Sequence, residues 1–173
     1  MDDHYIAGFV DGEGSFHVAF QRSVDVRIGW QAIPKFHVSQ NACSRNVLEE
    51  IRERLGCGII KANHRGSRSD RTLVLVVRNR QDLSIRVIPF FERYSLHTQK
   101  KRDFELFRDV VRMMNQDMHL SADGFARIVE LAYAMNANGS RRRMPREGIL
   151  RTLKSSETIR QRSAGPIGPM IKI

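Results

Sequence analysis

Residues 5–15 read Tyr5-Ile6-Ala7-Gly8-Phe9-Val10-Asp11-Gly12-Glu13-Gly14-Ser15. His4 to Gly12 has the character of a short apolar helix, N-capped by Asp2 or Asp3 and stopped by Gly12 and Gly14. Gly8 and Gly12 lie four apart on one helical face with Ala7 nearby. Each interior glycine costs about 1 kcal/mol of helix stability, a cost that permits close backbone approach to another helix. Asp11 and Glu13 fall in the last turn, where the helix dipole disfavours carboxylates by a few tenths of a kcal/mol to about 1 kcal/mol. A carboxylate fixed there, beside a basic sheet, suits a hard cation. Mg²⁺ takes one or two carboxylates together with phosphate oxygens and waters, an arrangement that serves phosphodiester hydrolysis. A calcium loop beginning at Asp11 is excluded, because its sixth position would be Phe16 instead of Gly and its twelfth Arg22 instead of Glu. The plain alternative is a helix C-terminus with Asp and Gly in a turn.

Outward from this stretch the chain alternates. Phe16, Val18 and Phe20, and then Phe36 and Val38, alternate with polar residues at the period of half-buried strands. Arg45 to Leu55 reads as a helix capped by Ser44 and ended by Gly56. Gly58–His64 and Arg71–Arg78 read as two strands around the basic loop Arg65–Asp70, and Gln81–Tyr94, Gln99–Asn115 and Ser121–Asn136 read as helices. This order predicts an α+β fold: a mixed, mostly antiparallel four-stranded sheet with helices on one face and a polar face left open. The fourth strand carries apolar residues at both parities, which predicts burial on both sides.

The chain has 173 residues and a net charge of +10, and 41% hydrophobic residues support one compact core. Nine basic residues against two acidic ones lie in 140–173, giving this segment +7 of the total. Residues 1–139 therefore read as a core domain, and 140–173 as a basic C-terminal segment that packs on the core and attracts a polyanion. The longest aliphatic run, Leu73–Val77, is far too short to span a membrane, and no broad apolar helical face accompanies the basic tail, so no membrane partner is expected. Met1-Asp2-Asp3-His4 lacks the features of a secretory signal, which predicts an intracellular protein, in a bacterial cytoplasm or an organelle matrix. Two cysteines, Cys43 and Cys57, make neither a disulfide framework nor a zinc site.

The stretch Ile6–Gly14 resembles the signature of the LAGLIDADG homing endonucleases. Phe36-His37-Val38-Ser39-Gln40, Leu55-Gly56-Cys57-Gly58, Pro89-Phe90-Phe91 and Gln99-Lys100-Lys101-Arg102-Asp103-Phe104 follow in the family's order, so the resemblance covers about residues 5 to 115. Two departures stand out: Ile6 replaces the leading Leu, and Glu13 stands where Asp is usual. The resemblance implies that Glu13 is a metal ligand, with Gly12 beside it, for Mg²⁺ or Mn²⁺. It also implies that Gln40 and Lys100, or Lys101 if the register shifts by one, position solvent for catalysis.

The signature occurs once, and the resemblance therefore implies a homodimer whose first helices meet through Ala7, Gly8, Asp11 and Gly12. The implied substrate is a long pseudo-palindromic double-stranded DNA site, cut once on each strand. Gln21, Arg22, Lys35, His37, Lys61, Asn63, Arg65 and Arg68 would face the groove, and Arg141, Arg142 and Arg143 would contact the phosphate backbone. An intron maturase, binding intron RNA on the same fold, is the alternative. A DNA-binding regulator ranks third, since no helix-turn-helix is recognisable.

Overall fold

The computed structural model describes residues 1–64, 66, 70–138 and 144–153. Helix α1 (Asp3–Glu13) starts at Asp2, whose carboxylate accepts from the backbone N–H groups of His4 and Tyr5. It passes directly into β1 (Gly14–Arg22). No side chain fits at that junction: a Cβ on Gly14 would lie 2.5 Å from Val10 Cγ1 and 2.7 Å from the Val10 carbonyl oxygen. The helix and strand can join this tightly only through glycine.

β1 pairs with β2 (Trp30–Asn41), which pairs with β4 (Thr72–Val77), and β4 pairs with the edge strand β3 (Ile59–Ala62). Every one of these pairings is antiparallel, so no mixed pairing occurs among the described residues. The reason is connectivity: both strand pairs are hairpins, and α2 (Arg45–Leu55) returns the chain so that β4 inserts between β2 and β3. Pro34, which has no N–H to give, falls where β2 has only β1 beside it. Gly56 ends α2 in the left-handed region at φ 66°, as its position after Leu55 predicts, whereas the Ser44 side chain makes no capping bond. Asn41 instead caps the short turn Ala42–Ser44.

Alternate residues of the sheet face the helices. Phe16 is the hub: its ring lies 5.2–5.6 Å from those of Phe36, Phe91, Phe104 and Phe107, tying the start of β1, three residues past α1, to α4 (Ile88–Arg93) and α5 (Lys100–Asn115). Helix α3 (Arg80–Asp82) continues through a π-helical turn, Leu83–Val87, into α4. The wide turn sits where the Pro89 ring would otherwise press on the carbonyl four residues back. Val74 and Leu75 are both buried, so the interior strand β4 does have apolar contact on both faces.

Helix α6 (Ala122–Tyr133) begins at Ser121, which accepts from Gly124 N–H, and is followed by α7 (Met135–Asn138). The described part of the basic segment is built into the same unit. Ile149 of α8 (Arg146–Leu150) is fully buried, Tyr133 donates to the Met144 carbonyl, and Trp30 Nε1 donates to Thr152 Oγ1 at 3.1 Å. Arg146 is spent on Glu130 and Glu147. No helix among the described residues is long and apolar enough to cross a membrane.

Candidate active site and nucleic-acid interface

The strand registers set the open sheet face in rows. Gln21 stands opposite Gln31, Ala19 opposite Ile33, and His17 opposite Lys35. The next row crosses all four strands as Ser15, His37, Val76 and Ile59, and the row after it holds Ser39, Val74 and Lys61. Asn63 continues the Lys61 side, its N–H donating to the Thr72 carbonyl. Gln21, Lys35, His37, Lys61 and Asn63 are thus brought onto one face. Arg78 joins them by parity past Val76, and the charges of Arg78 and Lys61 add to burial in holding Lys35 below its ordinary pKa. Burial, then Lys35 and Lys100, also lower the His37 imidazole. The face is a field of mutually repelling cations, which a polyanion would relieve.

Arg22 departs from the expectation. It has the parity of the helix-facing residues, opposite Trp30, and its guanidinium lies over the Trp30 ring at 4.8 Å. Arg65, Arg68, Arg141, Arg142 and Arg143 lie outside the described residues. Gln31 and Arg78 were not among the sequence-predicted contacts. Gln31 accepts from Gln21 Nε2 at 2.9 Å, and the hairpin register was the signal for it; for Arg78 the signal was the outward parity of Val74 and Val76.

At the inner end of this face, Glu13 and Gly12 are exposed at the last turn of α1. Lys100 Nζ donates to the Gly12 carbonyl at 3.2 Å, while Lys101 is exposed. Burial holds the Lys100 ammonium below its ordinary pKa, with Asp11, Glu13 and Asp103 pulling the other way. Gln40 is the last residue but one of β2, two residues past Val38, the partner of Gly14, and its Oε1 accepts from Asn41 N–H at 2.7 Å.

Asp11 requires a correction. Its carboxylate accepts from His97 N–H at 2.7 Å and from the Thr98 hydroxyl at 2.6 Å and Thr98 N–H. The acid that looked costly at a helix end therefore organises the turn into α5 and is occupied within its own chain. Burial pushes its pKa up, but the bonds from Thr98 and His97 and the charge of Lys100 outweigh this and leave it below the usual carboxylate value. Ala7 is likewise buried within the chain, at 4% exposure, and is not on the free face of α1. Gly8 and Gly12 are on that face, and a Cβ on either would meet nothing within 4 Å. Nothing among the described residues requires their smallness.

Among the described residues no three His, Cys, Asp or Glu side chains cluster as a metal site. Glu13 with the Gly12 carbonyl is a set of hard oxygen donors, which fits Mg²⁺ or Mn²⁺ better than a softer metal.

Residues 6–111 match the family model described as LAGLIDADG endonuclease. "Probable intron-encoded endonuclease 3" of Neurospora crassa is 33% identical over 130 residues, 75% of this chain and 24% of that protein. The chain spans between 24% and 60% of the length of the curated relatives it matches. The crystal structure of the homing endonuclease I-TnaI superposes with a TM-score of 0.75 at 34% identity, covering 88% of this chain and 95% of that one. I-SmaMI bound to cleaved DNA superposes with a TM-score of 0.74 at 31% identity, covering 79% of this chain and 44% of that one.

Proposed function

The chain belongs to the LAGLIDADG endonuclease family, and from that premise we propose that it is a metal-dependent homing endonuclease acting as a homodimer on a long pseudo-palindromic DNA duplex. The observation that carries this reading is one end of the sheet: an exposed Glu13 beside a Gly12 carbonyl that Lys100 holds, at the edge of a cationic face. The single signature and the open face of Gly8 and Gly12 support two copies packed helix to helix about a two-fold axis. A C₂ dimer presents the site twice, once to each strand.

Glu13 and the Gly12 carbonyl would hold Mg²⁺ or Mn²⁺, which when bound activates water and stabilises charge on the scissile phosphate. Lys100 keeps a positive charge near that phosphate and fixes the Gly12 carbonyl. Gln40, an amide at the strand end, orients solvent. The open-face side chains Gln21, Lys35, His37, Lys61 and Asn63 meet base edges or phosphates, joined by Gln31 and Arg78. Arg65, Arg68 and Arg141–Arg143, with the basic segment 140–173, add contacts to the backbone.

The test is cleavage of a randomised pseudo-palindromic duplex library in Mg²⁺, with the new ends sequenced and Ca²⁺ and Glu13→Gln as controls. Symmetric double-strand breaks that vanish with Glu13→Gln are expected. Specific duplex binding without cutting in any metal would overturn the nuclease reading, and failure to bind duplex would turn attention to intron RNA.

A further inference from the structure

Ile59 is 71% exposed, on a strand of four residues at the sheet edge. A single exposed aliphatic side chain is ordinary. This one stands opposite Val76, on the face from which Leu75 and Val77 are turned away. The two line a notch of about 230 Å³ with Gly58, Lys61, Val77, Arg78, Asn79 and Asp82, so it opens on this face and runs round the edge of the sheet. Gly58, at φ 98° and with Leu75 Cδ1 only 2.8 Å from where a Cβ would lie, fixes the turn that presents Ile59. Asp82 is paired with Arg86 at 3.4 Å, so the uncompensated charge at the rim comes from Lys61 and Arg78.

An apolar wedge inside a cationic rim calls for a partner that is anionic outside and apolar at one point. Duplex DNA is such a partner, and thymine alone among the four bases places an apolar group, its 5-methyl, in the major groove. We propose that Ile59 and Val76 read a thymine methyl, so that each half-site carries a required thymine at the base pair facing this edge of the sheet. The inference rests on the DNA-binding reading above and deepens it by assigning a base preference to two residues.

The test starts from the target selected by the library experiment. Each thymine is replaced singly by deoxyuridine, which keeps base pairing and removes only the methyl group, and binding of the full-length protein is measured in Ca²⁺. One position per half-site should lose about fourfold in affinity, the worth of one buried methyl. Ile59→Ala and, separately, Val76→Ala should bind the thymine and deoxyuridine duplexes alike at that position while keeping the wild-type profile elsewhere. A deoxyuridine profile that is the same in wild type and both variants, or a selected target with no thymine in the half-sites, overturns the assignment while leaving the endonuclease reading intact. Absence of any specific duplex binding by the wild type overturns that reading and this inference with it.

Discussion

Lys100 Nζ lies 3.2 Å from the carbonyl oxygen of Gly12, so a lysine from the start of α5 grips the backbone at the end of α1. Thr98 links the same two elements, donating its hydroxyl to Asp11 and accepting from Lys100 N–H at 3.2 Å. The acid proposed for chemistry and the acid that organises the architecture are thus neighbours in different settings: Glu13 is exposed, and Asp11 is occupied.

Lys100→Met should slow single-turnover cleavage by about 100-fold or more, the scale of losing one positioned electrostatic contact, with DNA affinity changed only severalfold. Lys101→Met should leave the rate near wild type. Equal damage from both substitutions would remove the distinction that the Gly12 contact draws.

Asp11→Ala should destabilise the folded chain by about 1–3 kcal/mol, because the His97 and Thr98 donors lose their acceptor. Asp11→Asn should recover part of this. Urea unfolding measures it, and an unchanged midpoint would show that the turn does not depend on the carboxylate.

Gly8→Leu meets open space within the chain and gains helix propensity, so the monomer's thermal midpoint should hold or rise. Association should be lost. Sedimentation velocity reads both states, and a persistent dimer would place the contact elsewhere.

His37 supplies a pH dependence. Burial, with the like charges of Lys35 and Lys100, holds its imidazole below the ordinary value of 6.5. Between the folded pKa and 6.5 the unfolded chain binds a proton that the folded chain does not, so stability falls as the pH drops through that window. The penalty is complete below the folded pKa. His37→Gln should flatten this slope in melts between pH 7.5 and 5, leaving a residual from His119, which is shifted in the same direction. A slope unchanged by the substitution would mean that His37 does not titrate in that range.

Most of the sheet was legible because alternation is a local property: Phe16, Val18, Phe36 and Val38 announce their face within their own strands. The outward group of Gln21, Lys35, His37, Lys61 and Asn63 follows from that. Arg22 continues the parity of Phe16, Val18 and Phe20, so its side was also written in its own strand; what the strand alone does not show is the ring that holds it there, Trp30, eight residues away and across a hairpin. Asp11 failed for a related reason. Its donors, His97 and Thr98, lie more than 80 residues on, and only the folded chain shows that they repay the carboxylate for an unfavourable place on the helix dipole. The small residues divide similarly: Gly14 is demanded by Val10, a contact four residues away, whereas Gly8 and Gly12 answer to nothing among the described residues.

The row from Ser15 through His37 and Val76 to Ile59 is cross-linked by the strand ladder, and so it works as a ruler. Its span of three strand spacings, roughly 14 Å, cannot stretch without breaking the sheet. One end of that ruler follows Glu13 and Gly14, and the other carries the apolar wedge. For the duplex target proposed above, inserting or deleting one base pair between the cut and the base that the wedge meets would shift that base by about 3.4 Å, most of the width of a methyl group. Spacing errors in a target would then be punished more severely than most base changes, because the protein has no soft joint along this line with which to follow them.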